Sequence, residues 1–106
     1  MILLLVLALT AETGPVPVTQ PTSWVDYPMS SIRNGEQGVV GFDVEVDPDG
    51  KPTECRVTAS TGFPSLDDET CRQVVRRGRF RPATNEAGVP KAGTYSGSLK
   101  WTLEAE

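Results

Sequence analysis

Val40-Gly41-Phe42-Asp43-Val44-Glu45-Val46, followed by Asp47-Pro48-Asp49-Gly50, is the stretch that decides the fold of this chain. Val40, Phe42, Val44 and Val46 point to one side while Gly41, Asp43 and Glu45 point to the other, the period of two expected of a half-buried strand. The four residues that follow have the chemistry of a tight turn. Proline sets φ, the aspartates hydrogen-bond local backbone, and glycine accepts positive φ. The chain therefore reverses, and Lys51 to Ser60 is predicted to return as a second strand, with Cys55, Val57 and Ala59 on one face and Glu54, Arg56 and Thr58 on the other.

Beyond this hairpin, Thr61-Gly62-Phe63-Pro64 breaks the strand, and Ser65 is placed to cap a helix whose first turn, Leu66-Asp67-Asp68-Glu69, carries the acidic bias that the helix dipole favours. Cys71, Val74 and Val75 are expected on its inner face. Arg72, Arg76 and Arg77 gather at its carbonyl end, and Gly78 supplies a stop. Phe80 to Ala83 leads into an expected loop, Thr84 to Gly93. From Thr94 to Leu103 alternation resumes, with Tyr95, Gly97, Leu99, Trp101 and Leu103 opposed to Ser96, Ser98, Lys100 and Thr102. Upstream, Tyr27-Pro28 and Met29 to Arg33 fit a short helix ended by Asn34-Gly35. The order helix, strand, strand, helix, strand predicts an α+β fold: a three-stranded antiparallel sheet with two helices packed on one face.

Met1 to Ala11 is an apolar run without a charged side chain, read as a signal peptide or as a truncated membrane anchor. Its apolar stretch is shorter than the roughly 20 residues that cross a bilayer as a helix. Residues 12–23 carry Pro15, Pro17 and Pro21 and read as an extended, unpacked linker, so the folded domain is placed at 24–106. Cys55 and Cys71 are the only cysteines, and behind an export segment they are expected to form one disulfide, pinning helix to sheet and contributing roughly 3 kcal/mol.

With 106 residues the chain has room for one domain, and its net charge of −4 gives no support for nucleic-acid binding. Histidine is absent, which excludes a Ser–His or Cys–His nucleophile. No catalytic residue, cofactor, metal site or small-molecule substrate is expected. Asp47-Pro48-Asp49-Gly50 does not open an EF-hand, since Pro52 and Thr58 stand where glycine and glutamate are needed. Asp67, Asp68 and Glu69 are read as helix-start chemistry rather than an acid–base pair. Arg72, Arg76, Arg77, Arg79 and Arg81 are read as a solvated face, with a patch for an acidic partner as the alternative.

The ordered set Tyr27-Pro28, Gly38-Val39-Val40, Asp47-Pro48-Asp49-Gly50, Ser60-Thr61-Gly62, Leu66-Asp67, Arg79-Phe80-Arg81-Pro82-Ala83 and Gly88-Val89-Pro90 resembles the C-terminal domain of TonB-family energy transducers. The likeness runs from about Tyr27 to Leu103. It implies an exported periplasmic protein of Gram-negative bacteria, with association at the inner membrane as a variant, that binds an extended segment, the TonB box, of an outer-membrane receptor in support of energy-dependent transport. In that family the peptide adds to a sheet edge. The resemblance places the receiving edge at Gly93, Thr94, Tyr95, Ser96, Gly97, Ser98, Leu99, Lys100 and Trp101, with Tyr27 and Pro28 helping to contact the receptor. Backbone would carry the binding, while alternation assigns the Tyr95, Leu99 and Trp101 side chains to the core. The alternative is an envelope protein of structural or regulatory role that uses the same edge to form a homodimer or to meet another partner.

Overall fold

A computed structural model describes residues 12–103. The reading of 1–11 as signal or anchor lies outside the described residues, as do the last three residues of the expected domain. In chain order the elements are β1 (Val16–Pro17), a 3-10 turn (Pro21–Trp24), α1 (Met29–Arg33), β2 (Gly38–Val46), β3 (Pro52–Ala59), α2 (Pro64–Arg77), β4 (Phe80–Arg81), β5 (Ala83–Thr84), β6 (Pro90–Lys91) and β7 (Gly93–Trp101). No helix among the described residues is long and apolar enough to cross a membrane.

The main sheet is antiparallel in the order β3-β2-β7, so the strand with the cleanest alternation is the central one. Val40, Phe42, Val44 and Val46 are buried on its inner face. They pack with Leu66 and Val74 of α2, with Leu99 and Trp101 of β7, and with Trp24 and Phe80. The Asp47–Gly50 turn forms as its residues dictate. Asp47 Oδ1 accepts the N–H groups of Asp49 and Lys51, each at 2.9 Å, and Gly50 has φ +86°. Gly50 also lies against β4: Phe80 N–H donates to its carbonyl, and a Cβ built on Gly50 would collide with Phe80 O. The Cys55–Cys71 disulfide is present and ties α2 to β3.

Several expectations change with tertiary contact. Of the expected linker, residues 12–18 are extended but packed, and Pro21 to Ser23 enter the 3-10 turn. Val16 and Pro17 pair with Arg81 and Phe80, Thr13 bridges Thr84, and Pro15 is buried against Gly93. The expected loop after Ala83 contains the β5–β6 hairpin, closed by Asn85, whose Oδ1 accepts the N–H groups of Ala87 and Val89.

Ser65 does not cap α2. The helix begins at Pro64, and the Ser65 hydroxyl donates to Glu36 and meets Ser31 of α1. Ordering the start of the helix falls to Asp67, which accepts hydrogen bonds from Ser60 Oγ and from the N–H (2.9 Å) and Oγ1 (2.8 Å) of Thr61. Burial pulls the Asp67 carboxyl upward, but these three bonds outweigh it and hold its pKa below the ordinary 3.8.

The inner face of α2 is Leu66, Thr70, Gln73 and Val74; Val75, expected inside, is 36% exposed. Gly78 ends the helix with negative φ, so its small size rather than its flexibility is what the site uses: a Cβ there would crowd Val74 O and the Trp24 ring. Of the helical arginines, Arg72 pairs with Glu69 and Arg77 with Asp26.

Candidate functional site: the β7 edge

A three-stranded sheet has two edges, and here they differ in regularity. On the β3 side the register slips twice. Gly41 faces Ala59 while Phe42 faces Val57, and Glu45 faces Glu54 while Val46 faces Pro52. Thr58 and Thr53 are therefore extra residues in β3, two bulges that bend the strand and interrupt its outer row of backbone groups, and Pro52 removes a donor at its start. On the other side β7 pairs with β2 without a slip through nine successive partners, from Val46↔Gly93 to Gly38↔Trp101. Such a ladder leaves a straight outer row of N–H and C=O groups on β7. Among the described residues no further strand or loop backbone pairs with that row.

The side chains of β7 divide by face. Thr94 Oγ1 donates to Glu45 Oε1 at 2.9 Å and Ser96 Oγ to Asp43 Oδ1 at 2.7 Å. Arg56 of β3 approaches both carboxylates at 3.5 Å. These bonds turn the hydroxyls toward β2 and away from the free edge. On the inner face Leu99 and Trp101 are buried, as alternation predicts, and Tyr95 is half-buried against Phe42 and Phe80, with ring centroids at 6.3 and 5.3 Å. The Tyr95 ring lies where a Cβ on Gly97 would be, 2.5 Å away, so glycine at that position lets the aromatic side chain fold along its own strand.

Tyr27 is brought to the far end of β7. Its ring meets Trp101 edge-on, centroids 5.0 Å apart, and its hydroxyl donates to Glu36 O. Burial, and then the Glu36 carboxylate, hold the phenol above its ordinary pKa of 10.0, so it remains a donor at neutral pH. The Glu36 carboxyl is in turn lowered by bonds from Ser31 and Ser65.

Thr22, Val25 and Tyr27 form one wall, and Leu99, Lys100, Trp101 and Thr102 the other, of an open cleft of about 260 Å³. Gly93 stands at the opposite end of the strand, in a second depression of about 300 Å³ shared with the residues Glu12 to Pro15. Pro28 precedes α1 and lines neither cleft. Trp101 is anchored from beneath: its indole N–H donates to Thr70 Oγ1 at 2.9 Å, and that hydroxyl donates to Leu66 O.

The cleft residues Thr22, Val25 and Thr102 were not legible as such in the sequence, because they belong to short irregular segments without periodicity. Gln73, which holds the Asp26 backbone beside the cleft, was hidden by its polarity. Its spacing from Leu66 and Thr70, seven and three positions, is the one signal that places it on the inner helix face.

A three-stranded sheet with one straight free edge, crossed behind by a disulfide-tied helix, has counterparts among known proteins. The sequence profile described as Gram-negative bacterial TonB protein C-terminal matches residues 24–103. The chain belongs to the TonB C-terminal domain family. Its sequence is 38% identical over 65 residues to Protein TonB of Neisseria gonorrhoeae, an alignment covering 60% of this chain and 23% of that protein. It thus spans less than a quarter of the length of that TonB. The fold matches the solution NMR structure of the Pseudomonas aeruginosa TonB CTD with a TM-score of 0.63 at 22% identity, over 87% of this chain and 89% of the other. That likeness establishes a shared architecture. The TonB C-terminal family is one of binding and transducing domains, so the straight β7 edge, rather than a constellation of reactive side chains, is the feature of interest.

Proposed function

We propose that this TonB C-terminal domain works in the periplasm, where it binds the extended TonB box of an outer-membrane receptor by adding it as a fourth strand along β7, in support of energy-dependent transport. The observation that carries this reading is the contrast between the two edges: β7 offers nine unslipped positions, whereas β3 is bulged at Thr53 and Thr58. Strand addition draws its affinity from main-chain hydrogen bonds, which a straight row supplies and a bulged one does not. The side chains at the β7 surface support the same reading, because Thr94 and Ser96 are turned toward β2 and leave the edge unobstructed.

Titration of the ¹⁵N-labelled protein with a TonB-box peptide tests the proposal. Amide shifts concentrated in Gly93 to Trp101, with smaller changes at Tyr27, are the expected result. Shifts confined to β3 would overturn the assignment of the β7 edge, and a stable dimer by light scattering that gives no response to peptide would replace the proposal with the alternative in which the same sheet edge joins two copies of the chain.

A further inference from the structure

Resting on that reading, we infer that the cleft at the Trp101 end of β7 is a side-chain pocket that selects one apolar residue of the added strand. Four consecutive residues, Leu99, Lys100, Trp101 and Thr102, line it. Consecutive strand residues alternate between faces, so a cleft that touches all four opens along the free edge of the strand and not on one face alone. A residue added directly opposite Leu99 or Trp101 projects to the same face as they do. There it meets Val25, Tyr27 and the two β7 side chains, a surface of aliphatic and aromatic groups.

The wall opposite the strand is fixed before any peptide arrives. Asp26 N–H donates to Gln73 Oε1 at 2.8 Å and Gln73 Nε2 donates to Asp26 O at 3.0 Å, so the backbone between Val25 and Tyr27 is held from the helix side. The Tyr27 hydroxyl is engaged by Glu36 O, and the Trp101 indole N–H by Thr70. With their polar atoms already bonded, Tyr27 and Trp101 offer the cleft only ring surface. A polar side chain laid against that ring surface would lose water without gaining a partner from it, the Thr22 hydroxyl and the Lys100 ammonium being the polar groups the cleft retains, whereas an apolar one loses nothing of the kind.

The discrimination is confined to one end. At Gly97 the Tyr95 ring folds over the inner face of β7 itself, and neither cleft reaches that level of the edge. Opposite Ser96 and Ser98 the added side chains lie on the exposed face of the sheet. One position of the peptide, at the level of Leu99 to Trp101, is therefore selective for a non-polar side chain, and its neighbours are tolerant.

An alanine scan of a nine-residue TonB-box peptide, titrated against the wild-type protein and against Thr22→Trp, tests this. Thr22 is exposed in the 3-10 turn and lines the cleft on the wall away from β7, so an indole there is expected to compete for the cleft volume. The expected result is that one alanine substitution weakens binding about tenfold or more in the wild type, the scale of burying one apolar side chain, and that this difference disappears in Thr22→Trp. Shifts of the β7 amides with a flat scan, or a scan unchanged by Thr22→Trp, would overturn the pocket while leaving strand addition in place. A peptide that leaves the β7 amides unmoved would overturn both.

Discussion

Gln73 and Asp26, 47 residues apart in the chain, are joined by two hydrogen bonds in the manner of neighbouring strands, the side-chain amide of one taking the place of a peptide group opposite the backbone of the other. Gln73 is almost fully buried, and its Nε2 also donates to Glu69 at 2.7 Å. Every buried side-chain nitrogen and oxygen among the described residues has such a partner. The consequence for function is that an irregular segment, Val25 to Tyr27, is held beside the β7 edge without belonging to any sheet.

Replacing Gln73 with alanine removes both bonds and leaves the Asp26 N–H and C=O to find water in a confined place. The expected cost is about 1–3 kcal/mol in urea unfolding. Faster hydrogen exchange at Asp26 and Tyr27 should accompany it, with β2 unaffected. Equal protection of those amides in the variant would mean that Arg77, which also reaches Asp26 and Trp24 O, suffices to hold the segment.

Gly50 and Gly88 both have positive φ, +86° and +78°, but only Gly50 touches another element. Gly88→Ala should therefore cost about 1 kcal/mol, the backbone term alone. Gly50→Ala adds collision with the Phe80 carbonyl and should cost about 2–4 kcal/mol. Parallel chemical denaturation of the two variants checks this, and equal losses would show that the contact with β4 relaxes freely.

Asp67 has a folded-state pKa below the ordinary 3.8, so the stability it contributes is complete above that value and is lost as pH falls through the lower, folded value. Asp67→Asn should destabilise by about 1–2 kcal/mol at pH 7, in the range measured for lost bonds at a helix start. The gap between wild type and variant should narrow as pH falls from 3.8 through the lower, folded-state value, where the aspartate becomes neutral like the asparagine. Urea unfolding followed from about pH 7 down through the acid range measures it, and a gap that does not change with pH would exclude the charge as its origin.

Reduction of Cys55–Cys71 should lower stability by about 3 kcal/mol, on the chain-entropy account for a separation of 16 residues. Unfolding with and without reductant reads it directly. Because α2 also packs on the sheet through Leu66, Thr70 and Val74, the reduced domain should stay folded and keep its β7 amide shifts. Collapse of those shifts on reduction would mean that the disulfide, and not the core, seats the helix.

The main framework is legible in the chain itself. Val40 to Val46 and Tyr95 to Trp101 have a two-residue period that hydrophobic burial enforces along the whole strand, and Asp47 to Gly50 carries its turn in its own side chains. Those signals are local, so local sequence was enough. The central position of β2, the bulges at Thr53 and Thr58 that spoil one edge, and the packing of residues 12–18 against β4 and β5 depend on what each segment meets across the fold. Proline-bearing residues 12–23 have no periodicity to announce that they pair, and Ser65 has the chemistry of a cap although Glu36 and Ser31 claim its hydroxyl. Gln73 and Thr70 have the polarity of solvent-facing residues, and only Asp26 and Trp101, distant in the chain, supply the partners that let them be buried. By itself the sequence determined the three long strands, the β2–β3 hairpin and the long helix, because each rests on interactions within a few residues, and the cysteine count with the export segment pointed to the disulfide. Only the tertiary structure decided which edge of the sheet is straight and what stands beside it, because an edge is defined by the neighbour that is not there.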